Sequence, residues 1–154
     1  LRINEKHIQI GLYDTLNVNW QRAYPNLYAY DWESDLLVVT KHGYDVEYEI
    51  KVSYADFRAD FNKAEKHSIL RFGKPGTCPA KFMYVVPYGL VNSQDIPDYA
   101  GYTEWRFDGR NLYFDVIKKA PFIHKIKISD SRIRDFDKRL YYKYWSLMSK
   151  VDFG

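Results

Sequence analysis

Apolar positions recur at helical spacing in NEKHIQIGLYDTL, where Ile3, Ile8, Leu12 and Leu16 share a side and Asn4 stands as a cap. The pattern then changes to short apolar runs and alternation. NLYAYDW, SDLLVVT and DVEYEIKVS predict three strands, the last two joined by Lys41-His42-Gly43. YADFRADFNKAEKH returns to helical spacing, with Phe57, Phe61 and Ala64 facing inward. RFGKPGTCP is a loop, and KFMYVVP is a strand that Pro87 ends. GYTEWRF and LYFDVIK predict a hairpin around Asp108-Gly109. SDSRIRDFDKRLYYKYWSLM closes the chain as a helix capped by Ser129 or Asp130, with Ile133, Phe136, Leu140, Tyr144 and Leu147 inward. This order predicts an α/β fold, a mixed central sheet flanked by helices, in one domain over residues 1–154.

The hairpin turn sets a register. A three-residue loop favours a type I turn followed by a residue of positive φ, and Gly43 stands where that residue is needed. Thr40 then faces Tyr44, Val38 faces Val46 and Leu36 faces Tyr48, which makes one face apolar throughout. The same count sets Asp35 opposite Glu49 and Glu33 opposite Lys51, with facing Cβ atoms roughly 5 Å apart. Two opposed carboxylates repel unless a proton or cation lies between them. Asp35 and Glu49 can supply the two carboxylates that a Mg²⁺ ion commonly takes, with Lys51 two residues along the same face. The alternation of Glu47, Glu49 and Lys51 with Tyr48, Ile50 and Val52 is equally that of a strand with one wet and one dry face. Glu33 and Lys51 also read as an ordinary cross-strand ion pair.

Composition narrows the picture. No apolar run is long enough to span a membrane. The chain begins at Leu1, as a trimmed chain would, and nothing at its start suggests a signal peptide. Cys78 is the only cysteine, which excludes an internal disulfide, fits a cytoplasmic setting and suggests a small packed side chain. The net charge is +3, but residues 118–154 hold ten Lys or Arg against four Asp or Glu. Such a basic segment suits an anionic partner such as nucleic acid. Within it, RLYYKYW mixes bases with aromatics. Tyr144 falls on the packing side, and Lys138, Arg139 and Lys143 are candidate phosphate contacts.

Asp35, followed on the next strand by Glu49-Ile50-Lys51 and then by a helix, resembles the core of the PD-(D/E)XK nuclease superfamily. WESDLLVVTKHGYDVEYEIKVSYADFRADFNKAEKH, with FMYVVPYGLV and IPDYAGY, is similar to its small phage and bacterial DNA-repair endonucleases. The likeness covers roughly residues 1–104. It implies a restriction-endonuclease-like αβββαβ core, to which a C-terminal hairpin and basic helix (about 105–150) are added. It further implies that Asp35, Glu49 and the Ile50 carbonyl bind Mg²⁺ or Mn²⁺, that Lys51 orients or deprotonates the attacking water, and that Glu5 is a further acid from the first helix. Ser34 stands where the superfamily's name has proline, and Glu33 rivals Asp35 for the acidic role. Ser53, Asp56 and Asp60, on the polar side of the helix after Lys51, are candidate supporting groups, and Lys63, Lys66 and His67 candidate phosphate contacts. Lys66 and His67 fall at the end of the expected helix, where cations are favoured in any case.

The resulting expectation is a Mg²⁺- or Mn²⁺-dependent deoxyribonuclease in phage or bacterial DNA repair, recombination or processing, located in the cytoplasm (the host's if phage-encoded). RNA remains open as a substrate, as do a homodimer and docking on a larger DNA-processing complex. The alternative is a DNA-binding or assembly module that keeps the fold without turnover.

Overall fold

A computed structural model describes residues 1–17 and 21–151, and every candidate site residue lies among them. The elements are α1 (Glu5–Asp14), β1 (Arg22–Leu27), β2 (Ser34–Val39), β3 (Asp45–Ile50), α2 (Tyr54–Asp60), α3 (Ala64–Phe72), β4 (Lys81–Pro87), a 3₁₀ turn at Ser93–Asp95, β5 (Ala100–Phe107), β6 (Leu112–Lys118) and α4 (Asp130–Met148). The strands form one mixed sheet in chain order, β1 to β6. Its β3–β4 and β4–β5 pairs are parallel and the other pairs antiparallel. The protein is therefore α/β, with helices on both faces of a six-stranded mixed sheet.

Strand alternation decides which helix covers which face. Leu36, Val38, Ile50 and Val85 point one way and pack under Ile8 and Leu12 of α1. Phe82, Tyr84 and Val86 point the other way, against Phe57 of α2 and Leu70 of α3. Leu37 and Val39 share that second face and take Tyr24 and Phe136 of α4. Cys78 packs in the α2–α3 core, fully buried.

The β2–β3 hairpin has the expected register: Leu36 pairs with Tyr48 and Val38 with Val46. Gly43 has φ +87° and its N–H donates to the Thr40 carbonyl at 2.9 Å, the geometry that its place in the loop demands. α1 is capped by Asn4, whose side chain accepts from His7 N–H, and α4 by Ser129, which accepts from Arg132 N–H.

Four expectations need correction. The first strand covers Arg22–Leu27, so Tyr28–Trp32 form a loop instead of its continuation. The expected single helix over 54–67 is two helices, broken after Asp60, so Lys66 and His67 stand near the start of α3 and not at a C-terminus. Ala64, expected inward, is exposed beside the break, whereas Phe61 keeps its inward side, its ring set against Phe57, Tyr84 and His67 with about a third of it open to solvent. α4 buries only Phe136 completely, and Leu140, Tyr144 and Leu147 are exposed, since the helix runs on beyond the edge strand that it covers.

Gly101 allows a close crossing in this frame. A Cβ there would lie 2.4 Å from the Ala120 nitrogen and 2.5 Å from the Lys118 carbonyl oxygen, both backbone atoms that cannot swing aside. Gly101→Ala is expected to cost about 1–3 kcal/mol, read as a lower urea midpoint at unchanged slope. An unchanged midpoint would show that residues 118–120 move freely.

Candidate active site

The site lies where β2 and β3 part. Thr40 N–H bonds the Tyr44 carbonyl, so ladder bonds recur at Val38–Val46 and Leu36–Tyr48. The next such pair would join Ser34 to Ile50, but pairing has ended. Instead, Ile50 N–H donates to Asp35 Oδ2 at 2.7 Å. The Asp35 carboxylate thus enters the fork and replaces the missing carbonyl. A residue's N–H and C=O point to the same strand edge, so the Ile50 carbonyl opens into the fork as well. On the other edge of β3, Lys51 N–H bonds the Val85 carbonyl at 2.8 Å. The matching bond from residue 87 is impossible because Pro87 has no N–H. Trp105 Nε1 supplies it, donating to the Lys51 carbonyl at 2.9 Å.

Glu5, first residue of α1, comes to the same end of the sheet. Burial drives the Asp35 carboxyl up to about 7; the Ile50 amide opposes the shift, and Glu5, by charge and by hydrogen bonding, adds to it. Glu49 is also held above the ordinary carboxylate range, chiefly by burial, with Asp35 and Asp60 pushing the same way against Lys66 and Lys51. Asp35, Glu49 and Glu5 therefore form a crowded acidic group around a carbonyl.

Behind it lies a buried charge cluster. Lys51 Nζ is 3.0 Å from Glu49 Oε1 and 3.5 Å from Asp60 Oδ1. Lys66 Nζ is 3.4 Å from Glu49 Oε2 and 3.2 Å from Asp60 Oδ1. Lys63 adds a half-exposed ammonium 3.5 Å from Asp60. Tyr84 OH donates to Asp60 Oδ2 at 2.7 Å, and His67 Nε2 lies 3.0 Å from the same oxygen and from the Asp60 carbonyl. Both partners are acceptors, so Nε2 carries the hydrogen, and Nδ1 meets the Tyr99 hydroxyl. Burial opposes ionisation of Asp60, but the His67 hydrogen bond and the Lys66 and Lys51 charges outweigh it and hold the carboxyl well below its usual range. Burial likewise works against the Lys51 ammonium, and Glu49 and Asp60 overcome it.

Only the helix break permits this. In a continuous helix His67 would stand two turns from Asp60, about 10.5 Å along the axis. With α3 folded back, the two touch.

The face of β3 expected to be wet is dry. Asp45, Glu47, Glu49 and Lys51 are all buried. The loop after β1 serves this row at matching spacing: Tyr30 OH donates to Asp45, and Trp32 Nε1 to both Glu47 oxygens at 2.9 Å. Burial drives Glu47 up to about 8 against the Lys66 charge.

Asp35, Glu49, Lys51, the Ile50 carbonyl and Glu5 are brought together as the sequence suggested. Other candidates are placed differently. Glu33 neither faces Lys51 nor rivals Asp35: the strands have parted, and Asn26 Nδ2 holds it at 3.1 Å. Ser53 and Asp56 cap α2. Ser53 Oγ accepts from Asp56 N–H and Asp56 from Val52 N–H, which fixes the chain leaving Lys51, and the Asp56 charge adds to those that favour the Lys51 ammonium. Lys66 and His67, expected to contact phosphate, are buried and committed to Asp60. Lys63 keeps an exposed ammonium beside the site. Arg139 and Lys143 donate to main-chain carbonyls of Tyr28 and of Pro25 and Asn26, while Lys138 is exposed. Glu47, Trp32, Tyr84 and Tyr99 were missed as site residues. The only local signal was the shared i, i+2 spacing of the loop donors and strand acids.

Mg²⁺ or Mn²⁺ fits this donor set. Among the described residues no three acidic, histidine or cysteine side chains make a ready metal cage. A hard ion bound through one or two carboxylates, with water and phosphate completing the shell, does not require one. Acid crowding is itself what an added cation relieves.

These shifts predict a pH dependence. Asp35 and Glu47 bind protons more tightly folded than unfolded, so they stabilise the fold at low pH and lose that contribution as pH rises through about 7 and 8. Asp60 is ionised throughout that range and adds no slope. The metal-free melting temperature should fall between pH 6 and pH 8.5. Millimolar Mn²⁺ should restore it more at the higher pH, where the carboxylates are free to bind it. Calorimetry that found the metal-free value rising with pH would contradict the assignment.

The class defined so far is a three-layer α/β protein with an acidic fork backed by buried lysines. No family model matches the chain, and no curated protein matches it. Among solved structures it is similar to SPO1766, a protein of unknown function from Silicibacter pomeroyi. The TM-score is 0.61 at 16% identity, over 96% of this chain and 91% of that one. The likeness shows a shared fold. No helix among the described residues is long and apolar enough to cross a membrane.

Proposed function

We propose that this chain is a divalent-metal-dependent deoxyribonuclease of the PD-(D/E)XK type, with a restriction-endonuclease-like core spanning α1 to β4. The observation that carries the reading is the fork: Asp35 enters it beside Glu5 and Glu49, and Lys51 Nζ stands 3.0 Å from Glu49. The order of a helix, three strands, helices and a strand supports it.

Asp35, Glu49 and the Ile50 carbonyl would hold Mg²⁺ or Mn²⁺, with Glu5 as a further acid; the ion supplies Lewis acidity at the phosphate and acidifies water. Asp35 is bonded to Ile50 N–H through Oδ2 and meets the Glu5 carboxyl, a carboxyl–carboxyl contact that a bound cation would replace. Lys51 keeps a full charge although buried, and so can offset charge developing on the phosphate oxygens and steer the nucleophile. Asp60 and Glu49 hold that ammonium from two sides. Trp105 fixes the Lys51 main chain, so the side chain departs from a defined point. In-line attack would leave a 5′-phosphate and a 3′-hydroxyl.

The test is incubation of the purified chain with plasmid, linear duplex, branched and single-stranded DNA, and RNA, in Mg²⁺ or Mn²⁺ and then in EDTA. Metal-dependent cleavage leaving 5′-phosphates is expected, with Asp35→Asn inactive. Binding without cleavage of any substrate in either metal would leave a non-catalytic nucleic-acid-binding module.

A further inference from the structure

A groove runs between α1, β1 and the exposed half of α4. Its volume is about 450 Å³, within the range of about 300–1,000 Å³ usual for ligand sites. Ile10, Tyr13, Leu140 and Leu147 make its apolar walls, 61%, 48%, 37% and 60% exposed, and Lys6 and Lys143 lie along it. No acidic residue lines it. Lys6, Gln9 and Asn26 also line a second hollow of about 390 Å³, together with Asn4 and Glu5. The groove therefore continues to the fork. Gln9 fixes that junction, donating to Asn26 Oδ1 at 3.0 Å and to the Asp35 carbonyl at 2.7 Å.

We propose that this groove is the track of an unpaired nucleic-acid strand, which it leads to Glu5 and Asp35. The inference rests on the nuclease reading and names its substrate class: a tail, flap or frayed end in preference to fully paired duplex. Apolar and aromatic walls suit base faces, which a duplex hides and a single strand presents. Two lysines and no acid select an anionic occupant over an ordinary peptide. A second copy packed on α4 across a two-fold axis would set Lys138, Arg139 and Lys143 against their own kind.

The experiment measures binding without cleavage, by fluorescence anisotropy in Ca²⁺. Its probes are a short blunt duplex and the same duplex with an oligothymidine tail. The tail should raise wild-type affinity about tenfold, the scale of one or two stacked bases. Ile10→Glu and Leu147→Glu change exposed side chains, so the fold should survive. Each should remove most of the tail's advantage and leave blunt-duplex affinity nearly unchanged, whereas Ile10→Lys should increase it. Equal affinity for the two probes, or Glu variants that keep the preference, would overturn the proposal. So would sedimentation showing a wild-type dimer that those substitutions dissolve. Tail preference without cleavage in Mn²⁺ would defeat the nuclease reading alone. Cleavage with no tail preference would defeat the track alone.

Discussion

Lys51→Ala is expected to lower single-turnover DNA cleavage by roughly 10²–10³-fold, the scale of losing one fixed charge from the reacting centre. Mn²⁺ binding and DNA binding should persist, because Asp35, Glu49 and the Ile50 carbonyl are retained. The fold should persist as well, since Lys66 still lies 3.4 Å from Glu49 and 3.2 Å from Asp60, so neither buried acid is stranded. Rapid-quench cleavage with saturating metal, paired with a thermal melt, separates these outcomes. Wild-type cleavage by the variant would remove Lys51 from the chemistry.

Asp60→Ala should produce the largest loss of stability. Asp60 is 1% exposed and receives Tyr84, His67, Lys51, Lys66 and Lys63. Removing one member of such a cluster leaves buried cations with too few partners, at a cost of about 3–5 kcal/mol. For a chain of this size that is a fall of roughly 10 °C in melting temperature. Asp60→Asn combined with Lys66→Met removes one charge of each sign, and should recover part of the loss. If the double substitution were as unstable as the sum of the two single ones, charge balance would not be the reason.

Much of the frame was legible in local pattern. The Lys41-His42-Gly43 turn predicted the Leu36–Tyr48 register, and KFMYVVP matched β4 end to end. Ile8 and Leu12 form the buried face of α1, as their spacing implied. The same register set Asp35 close to Glu49, and the two carboxylates do act on one another, although the strand pairing stops one step earlier, at Leu36 and Tyr48. What register counting could not see was where the strands part. Glu33 was therefore set against Lys51, whereas Asn26 holds it. The break after Asp60 carries no proline or glycine in FNK, so a helical pattern ran straight through it.

The sequence alone determined the order of the strands, the sheet's hairpin register and the presence of two acids and a lysine on one strand face. Those features depend on turn chemistry and on periods of two and 3.6 residues, which short stretches of chain express by themselves. Tertiary structure decided that this face is dry, that Lys66, His67 and Asp60 converge behind it, and that α4 leaves its last turns uncovered. Burial and charge pairing between residues distant along the chain are properties of the packed whole, and no local period records them.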